Sequence, residues 1–162
     1  MIFVTLGTQD KPFKRLLDAI QKQIDNGNIK EEVIVQAGCT KFESKQMKLY
    51  DMMDIDSFET YVNNCDLMIA HGGVGSILDA LQKDKKVIAA PRLGKYGEAA
   101  NDHQKQIIDE FSKEGYILPL NNFDELDQLL KKVKRFKPKK YASKRMEFIE
   151  KIEHYIETGL LP

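Results

Sequence analysis

The chain has 162 residues, 42% of them hydrophobic and 31% charged, which suits one globular domain with a substantial core. Its 25 Lys and Arg residues balance 25 Asp and Glu residues, so a protein held to nucleic acid by net positive charge is excluded. The same composition excludes a disordered tail, a collagen-like repeat and a disulfide scaffold.

The first half of the chain alternates short apolar runs with amphipathic segments. In chain order we predict a strand at 2–6, a helix from about 12 to 24, a strand at 32–38, a weaker strand at 47–53, a helix from 57 to 64 and a strand at 67–71. Pro12 suits the first turn of the first helix and Asn26-Gly27 ends it, while Ser57 is the expected N-cap of the second helix.

The same alternation continues to the end of the chain. We predict a helix at 76–84, a strand at 86–91, a helix at about 102–112, a strand at 116–120, a helix at about 123–133 and a last helix at about 141–158. Gly115, Asn122 and Pro138 separate the later elements. We expect one domain over 1–162, with a C-terminal helical extension at about 139–158.

Strand–helix alternation of this kind requires βαβ crossovers, which predict an α/β fold with a doubly wound, Rossmann-like, mainly parallel sheet. Ligands of such sheets bind at the carboxyl ends of the strands, near the point where the strand order reverses. The candidate site is therefore formed by the loops that follow the strands. These loops are 7–12, 38–46, 71–76 and 91–104.

A glycine-rich segment, HGGVGS at 71–76, follows a buried strand and opens a helix. Glycines let the backbone approach an anion closely, and the free N–H groups and dipole of a helix N-terminus favour phosphate. The segment matches neither GxGxxG nor a Walker loop. A glycine-rich turn packed tightly against a neighbouring helix is an equally good interpretation.

A second polar run, Asn101-Asp102-His103-Gln104, lies at another strand-to-helix junction. Either of its first two residues is suited to cap the helix. Capping needs only one of them, and the four side chains together offer donors and acceptors that suit sugar hydroxyls. An exposed, unpaired helix residue is the simpler interpretation of His103.

Two further features accompany these loops. Gly7-Thr8-Gln9 ends the first strand at the same edge of the sheet, where an ordinary turn is the simpler interpretation. Asp79 lies three residues after Ser76. It is either the partner of Ser76 in a capping box or a carboxylate that accepts hydrogen bonds from ribose hydroxyls.

Three blocks of sequence carry a family resemblance over about residues 1–120: IFVTLGTQDKPFKRLL, IAHGGVGSILDALQKDKKVIAAPR and GEAANDHQKQIIDEFSKEGY. They resemble the family-28 glycosyltransferases. Within that family they are similar to the small bacterial subunits of exopolysaccharide and capsule synthesis, and to the catalytic subunit of the eukaryotic dolichol-linked N-acetylglucosaminyltransferase. The GEAANDHQ segment favours the bacterial branch.

The resemblance implies the donor-binding, C-terminal half of a GT-B enzyme that takes a UDP-sugar as substrate and needs no cofactor or metal. It implies a membrane-anchored partner subunit that binds a lipid-linked acceptor, and a cytoplasmic location at the inner face of the membrane. It assigns residues of this chain to the donor; these are Gly7, Thr8, Gly72, Gly73, Gly75, Ser76, Asp79, Asn101, Asp102 and Gln104. A nucleotide-binding regulatory module without transferase activity is the alternative function.

The family is inverting, which requires a general base near the acceptor hydroxyl. His71, Glu98 and His103 are the candidates in this chain, and the partner subunit is another source. Asp54-Ile55-Asp56 has the letters of a metal-binding DxD motif but does not follow a strong strand. We therefore expect charge on the leaving diphosphate to be stabilised by backbone amides and a helix N-terminus.

Two features bear on location. Cys39 and Cys65 form no CxxC and no metal-ligand pattern, so we expect them to stay reduced in the cytoplasm, and we expect no signal peptide ahead of MIFVTLGTQD. The stretch 131–145 holds nine Lys or Arg residues and no Asp or Glu. A solvated face explains that stretch, and contact with anionic lipid headgroups is the alternative.

Overall fold

The computed structural model describes residues 1–142, within which the strands form one all-parallel sheet. The strands are β1 (Ile2–Thr5), β2 (Val33–Gln36), β3 (Met47–Tyr50), β4 (Leu67–His71), β5 (Lys86–Ala90) and β6 (Leu118–Pro119). The helices are α1 (Lys14–Asp25), α2 (Ile55–Asn64), α3 (Val74–Gln82), α4 (His103–Lys113) and α5 (Leu126–Arg135). Short 3₁₀ turns occupy Gly94–Tyr96 and Phe123–Glu125.

The strand order is β3-β2-β1-β4-β5-β6, which confirms the predicted doubly wound, Rossmann-like sheet. The order reverses between β1 and β4, whose last paired residues are Thr5 and Ala70. At that point the loops after the two strands leave in opposite directions and open a crevice. The structure therefore brings the predicted loops after β1 and β4 to one place.

Two apolar clusters cover the two faces of the sheet. Alternate residues of β1 point to opposite faces, so Val4 packs with α1 and α5 while Phe3 packs with α2, α3 and α4. The strands that lie in the middle are buried on both sides, which explains their continuous apolar sequences. The helices thus hold the carboxyl edge of the sheet rigidly from both faces.

Some element boundaries differ from the prediction. Helix α2 begins at Ile55, because the Asp54 carboxylate accepts a hydrogen bond of 2.7 Å from the Ser57 backbone N–H; Ser57 is therefore not the N-cap. Strand β6 has two residues rather than five, and its Pro119 has no N–H to give to a ladder. Asn122 does cap the next helix, which starts as a 3₁₀ turn.

The predicted last helix lies outside the described residues from 143 onward. Within residues 1–142, no helix combines the length and the apolar character that crossing a bilayer requires.

Candidate functional site

Two adjoining cavities of about 420 and 480 Å³ lie at the carboxyl edge of the sheet and share Gly73. The first is lined by Gly7 and Thr8 after β1, by the start of α3, and by residues that follow β3. The second lies between Gln9–Lys11 and Ala99–Gln104. The structure thus brings together the predicted loops after β1, β4 and β5, while the predicted loop 38–46 lines neither cavity.

The N-terminus of α3 opens into the first cavity. Gly73 is the N-cap, no side chain caps the helix, and the amides of Val74, Gly75 and Ser76 form its first turn. A Cβ atom built on Gly75 would meet no atom within 4 Å, so the backbone there is open to approach. Unpartnered amides together with the helix dipole make this an anion-binding geometry.

His71 is wedged between two glycines at the base of this cavity. A Cβ atom on Gly7 would lie 2.6 Å from its Nε2 atom, and one on Gly73 only 2.2 Å away. The Nδ1 atom lies 3.3 Å from the Thr5 carbonyl oxygen, which only accepts, so Nδ1 carries the proton. Nε2 is then an acceptor that faces the glycine loops.

His71 is uncharged at neutral pH. Burial lowers its pKa to about 4, with a smaller lowering by the Arg92 guanidinium, and the hydrogen bond to Thr5 only partly opposes this. A neutral imidazole of such low pKa is a weak general base near pH 7. Its geometry instead fixes the loop after β1 against the start of α3.

An apolar wall that the sequence analysis missed closes the first cavity on the side of α2. It consists of Met52, Met53, Ile55 and Phe58, of which Met52 is 58% and Ile55 78% exposed. Exposed large apolar side chains beside a polar turn are suited to the face of a planar ring. Met52 and Met53 fall inside the predicted strand 47–53, whereas β3 ends at Tyr50 and leaves both methionines in the loop that follows.

Asp79 is exposed on α3 and lines the first cavity together with Ser76. Because α3 begins at Val74, Ser76 is the third residue of the helix and not its N-cap. The capping-box interpretation of the pair is therefore wrong. The Asp79 carboxylate makes no side-chain hydrogen bond within residues 1–142, so it is available to a ligand.

Gln104 links two of the loops at the second cavity. Its Oε1 atom accepts hydrogen bonds from the backbone N–H groups of Gly72, at 3.2 Å, and Arg92, at 3.1 Å. A Cβ atom on Gly72 would lie 2.6 Å from the Gln104 Cβ atom, so this glycine permits the close packing. The Gly72 amide is thereby occupied and contributes no free donor to an anion, whereas the Gln104 side-chain NH₂ group remains for a ligand.

The remaining polar residues of the predicted run are exposed; Asn101 and His103 line the second cavity, whereas Asp102 lines neither cavity. Asn101 Oδ1 accepts the His103 backbone N–H at 3.2 Å, and Asp102 Oδ1 accepts that of Gly94 at 2.9 Å. His103 Nδ1 lies 3.1 Å from Gln106 Oε1, which places the proton on Nδ1 and leaves Nε2 as an acceptor. Asn101 and Asp102 each hold the local backbone with one oxygen.

Glu98 has a different environment from the one expected of a general base. Its carboxylate forms a two-point ion pair with Arg15, at 2.9 and 2.8 Å, and also accepts the Leu93 backbone N–H at 3.1 Å. The carboxyl group is 6% exposed. Glu98 therefore connects α1 to the loop after β5.

No group of three or more His, Cys, Asp or Glu side chains within residues 1–142 has the geometry to hold a metal ion.

The fold that carries these cavities is that of the GT-B glycosyltransferases. The crystal structure of the kitacinnamycin glycotransferase superposes with a TM-score of 0.63 at 14% identity, over 83% of this chain and 34% of that one. An NMR structure of ALG13 superposes with a TM-score of 0.58 at 21% identity, over 93% of both chains. Identities this low establish the shared fold alone.

Comparison of the sequence with family models identifies the family. The model of the glycosyltransferase family 28 C-terminal domain matches residues 1–158, so the chain belongs to that family. The resemblance expected from the three blocks of sequence is thereby confirmed.

One of its relatives is the UDP-N-acetylglucosamine transferase subunit ALG13 of Debaryomyces hansenii. It is 28% identical over 103 residues, which are 63% of this chain and 45% of the relative. The chain spans less than half of the length of the curated relatives it matches.

Proposed function

We propose that the chain is the donor-binding subunit of a glycosyltransferase that transfers a hexose or N-acetylhexosamine from a UDP-sugar to a lipid-linked acceptor in polysaccharide synthesis. The observation that carries the proposal is the uncapped N-terminus of α3, which opens into one cavity and adjoins a second cavity lined by polar side chains. A nucleoside diphosphate sugar has the matching sequence of parts: a planar base, an anionic diphosphate and a hydroxyl-rich ring.

Each part of the donor is assigned to one part of the site. The base lies against the apolar wall at Met52 and Ile55, and the ribose hydroxyls donate to the Asp79 carboxylate. The diphosphate accepts hydrogen bonds from the amides that begin at Val74, close to Gly7 and Thr8. The sugar occupies the second cavity, where the side-chain NH₂ groups of Gln104 and Asn101 meet its hydroxyls. Asp102, between two lining residues, is assigned to the same hydroxyls through its second carboxylate oxygen.

The chemistry follows from where charge develops. As the bond between the anomeric carbon and the diphosphate breaks, negative charge grows on the diphosphate oxygens. Preorganised amides at a helix N-terminus stabilise that charge in place. An acceptor hydroxyl that attacks from the opposite face inverts the anomeric configuration, and a general base takes its proton. Of the three candidates His103 fits best, because its Nε2 atom is a free acceptor at an exposed rim.

The two-substrate chemistry supports a partner. Bond formation between two substrates needs both held in one water-excluding cleft. The described sheet provides the donor side of such a cleft, and we assign the acceptor side to a membrane-anchored subunit that keeps this chain at the cytoplasmic face of the membrane. The relatives are named as a transferase subunit, which supports this assignment.

A calorimetric panel of UDP, UDP-hexoses, UDP-N-acetylhexosamines, GDP and NAD on the purified chain tests the donor assignment. We expect UDP and UDP-sugars to bind, and GDP and NAD not to bind. Tighter binding of NAD than of UDP would overturn the assignment.

The regulatory alternative is separated from the enzyme by an assay with the partner. We expect the purified chain alone to be nearly inactive, membranes that contain the partner alone to be inactive, and the two together to transfer sugar to a lipid-linked acceptor. Binding of UDP-sugars without transfer in the combined assay would favour a regulatory module. Full transfer by the chain alone would point to a self-sufficient homo-oligomer.

A further inference from the structure

A buried arginine lies beneath the loops of the site. Arg92 follows β5 and Pro91, is 1% exposed, and is the only Lys or Arg among the buried residues of the described part of the chain. Arg92 forms no ion pair within residues 1–142, because the nearby Glu98 carboxylate is paired with Arg15. A charged side chain at such a position requires an explanation, because removing a cation from water is costly.

The guanidinium makes all its side-chain hydrogen bonds to backbone carbonyls of the two loops. Its Nη2 atom donates to the Leu6 oxygen at 2.6 Å, and its Nη1 atom donates to the Lys11 oxygen at 2.5 Å and to the Glu98 oxygen at 3.3 Å. The first two acceptors bracket the loop after β1. The third lies in the loop after β5, so one rigid group joins the two loops.

These two loops are the opposite walls of the second cavity. Lys11 ends the wall formed by 9–11, and Glu98 immediately precedes the wall formed by 99–104. The backbone N–H of Arg92 itself is held by Gln104 at the floor. Arg92 thus contacts both walls and the floor of the second cavity, and its planar fork has a fixed geometry.

Packing alone does not explain why a cationic side chain, rather than an apolar one, is buried at position 92. Its Nε atom is buried and has no hydrogen-bond partner within residues 1–142, and its Cζ atom lies over the Phe13 ring, 5.0 Å from the ring centroid, a cation–π contact that offsets only part of the cost of burial. An apolar side chain of similar volume would fill that space without the cost of a buried cation. What the guanidinium supplies, and an apolar side chain cannot, is a direct hydrogen-bonded connection between the two walls.

We propose that Arg92 is a positioning residue, which sets the distance between the walls of the second cavity and thereby the affinity for the sugar part of the donor. The inference rests on the proposed function, since that assigns the sugar to this cavity. The first cavity draws its apolar wall and its α3 amides from elements that Arg92 does not touch. Loss of the connection therefore weakens sugar binding more than nucleotide binding, which takes only Gly7 and Thr8 from the loop that Arg92 holds.

The experiment compares Arg92→Lys and Arg92→Met with the unmodified chain by calorimetry. The probes are UDP and the UDP-sugar that binds best in the panel. We expect the ratio of the UDP-sugar Kd to the UDP Kd to rise about tenfold in Arg92→Met, and less in Arg92→Lys, which keeps the charge but not the fork. Val133→Ala is the control, because it removes buried volume at the far end of the sheet, where it should lower Tm without changing the ratio.

The outcomes are distinct. An unchanged ratio in both arginine variants, or an equal loss for both ligands, overturns the inference. Failure of the unmodified chain to bind UDP overturns the proposed function instead. If Arg92→Met does not fold, Arg92→Lys decides, together with amide hydrogen exchange: faster exchange at 7–11 and 93–98 with unchanged exchange in α5 is the expected pattern, and uniform acceleration contradicts it.

Discussion

The imidazole of His71 occupies the space that a side chain on Gly73 would need, since a Cβ atom there would lie 2.2 Å from Nε2. The Nδ1 bond to the Thr5 carbonyl holds the ring in that place. The absence of a side chain at Gly73 is thus coupled to the presence of the ring at His71. The pair joins the end of β4 to the beginning of α3.

This coupling is measurable with Gly73→Ala, His71→Ala and the double variant. Gly73→Ala should cost on the order of 1–3 kcal/mol of unfolding free energy, because the new methyl group collides with a buried ring. In the His71→Ala background the ring is absent, and the same change should cost clearly less. Denaturant unfolding gives the four values. Equal costs in both backgrounds would mean that the ring moves aside freely.

Gly75→Ala should lower the affinity for UDP without lowering the stability of the fold. The residue is helical and its surroundings are open, so alanine should leave stability unchanged or raise it by up to about 1 kcal/mol. Its methyl group would nevertheless stand beside the amides assigned to the diphosphate, and UDP affinity should fall. Tm and calorimetric Kd are the measurements, with Gln128→Ala on the exposed surface of α5 as control. Unaltered UDP affinity would contradict the assignment of the diphosphate to the N-terminus of α3.

Gln104→Glu should distinguish the two tasks of this side chain. The variant keeps an oxygen for the Gly72 and Arg92 amides and loses the NH₂ group assigned to the sugar. The ratio of UDP-sugar to UDP affinity should fall by a factor that corresponds to about 0.5–1.5 kcal/mol. Repulsion between the new carboxylate and the diphosphate acts on both ligands and cancels in that ratio. An unchanged ratio of UDP-sugar to UDP affinity would contradict the assignment of Gln104 to the sugar.

Gln104→Ala provides the matched comparison. It leaves two buried amides without an acceptor, each at a cost of about 1–3 kcal/mol, so it should lower the unfolding free energy far more than Gln104→Glu does.

The low pKa of His71 predicts a dependence of stability on pH. In the unfolded chain the ring titrates near its ordinary pKa of 6.5, whereas in the folded chain it titrates at about 4. The unfolded state therefore binds the proton first as the pH falls, and the free energy of unfolding falls by on the order of 3 kcal/mol between pH 7 and pH 4. His71→Asn removes the titrating group. Between pH 7 and pH 4, the difference in unfolding free energy between the unmodified chain and His71→Asn should change by that amount. A difference that stays constant over this pH range would contradict the prediction.

His103→Gln tests the general base in the combined assay with the partner subunit. We expect kcat to fall by about 10²–10⁴ with little change in the Kd of UDP, because the side chain is assigned to the acceptor hydroxyl. Glu98→Gln is the comparison, and it should act on stability through the ion pair with Arg15. Full kcat in His103→Gln would place the base on the partner.

The fold could be predicted largely because the strands are continuous apolar runs. Leu67–His71 is found with its predicted boundaries, since both faces of β4 are covered and no other element uses such a sequence. The errors lie at ends where several residues have similar propensities. Asp54 and Ser57 are both good N-caps, and only the tertiary position of the chain selects the first.

The site was predictable as a set of loops but not as a set of contacts. The carboxyl-edge rule brings the glycine-rich segment and the polar run at 101–104 together without any coordinates. The bridge from Gln104 to Gly72 joins residues 32 positions apart, and no local pattern predicts which oxygen meets which amide. Arg92 and the apolar wall at Met52 escaped notice for the same reason, because each has its meaning only through distant neighbours.

The two cavities share Gly73 and the loop after β1, but their other walls come from different stretches of the chain. The wall at Met52–Phe58 and the start of α3 belong to one stretch, and the run 98–104 belongs to another. The boundary between these two stretches lies at β5. Under the proposed assignment, a graft of residues 93–104 from a homologue would exchange one wall of the sugar subsite while the proposed nucleotide subsite stays native, and Arg92, just outside the graft, would remain the common anchor for both versions.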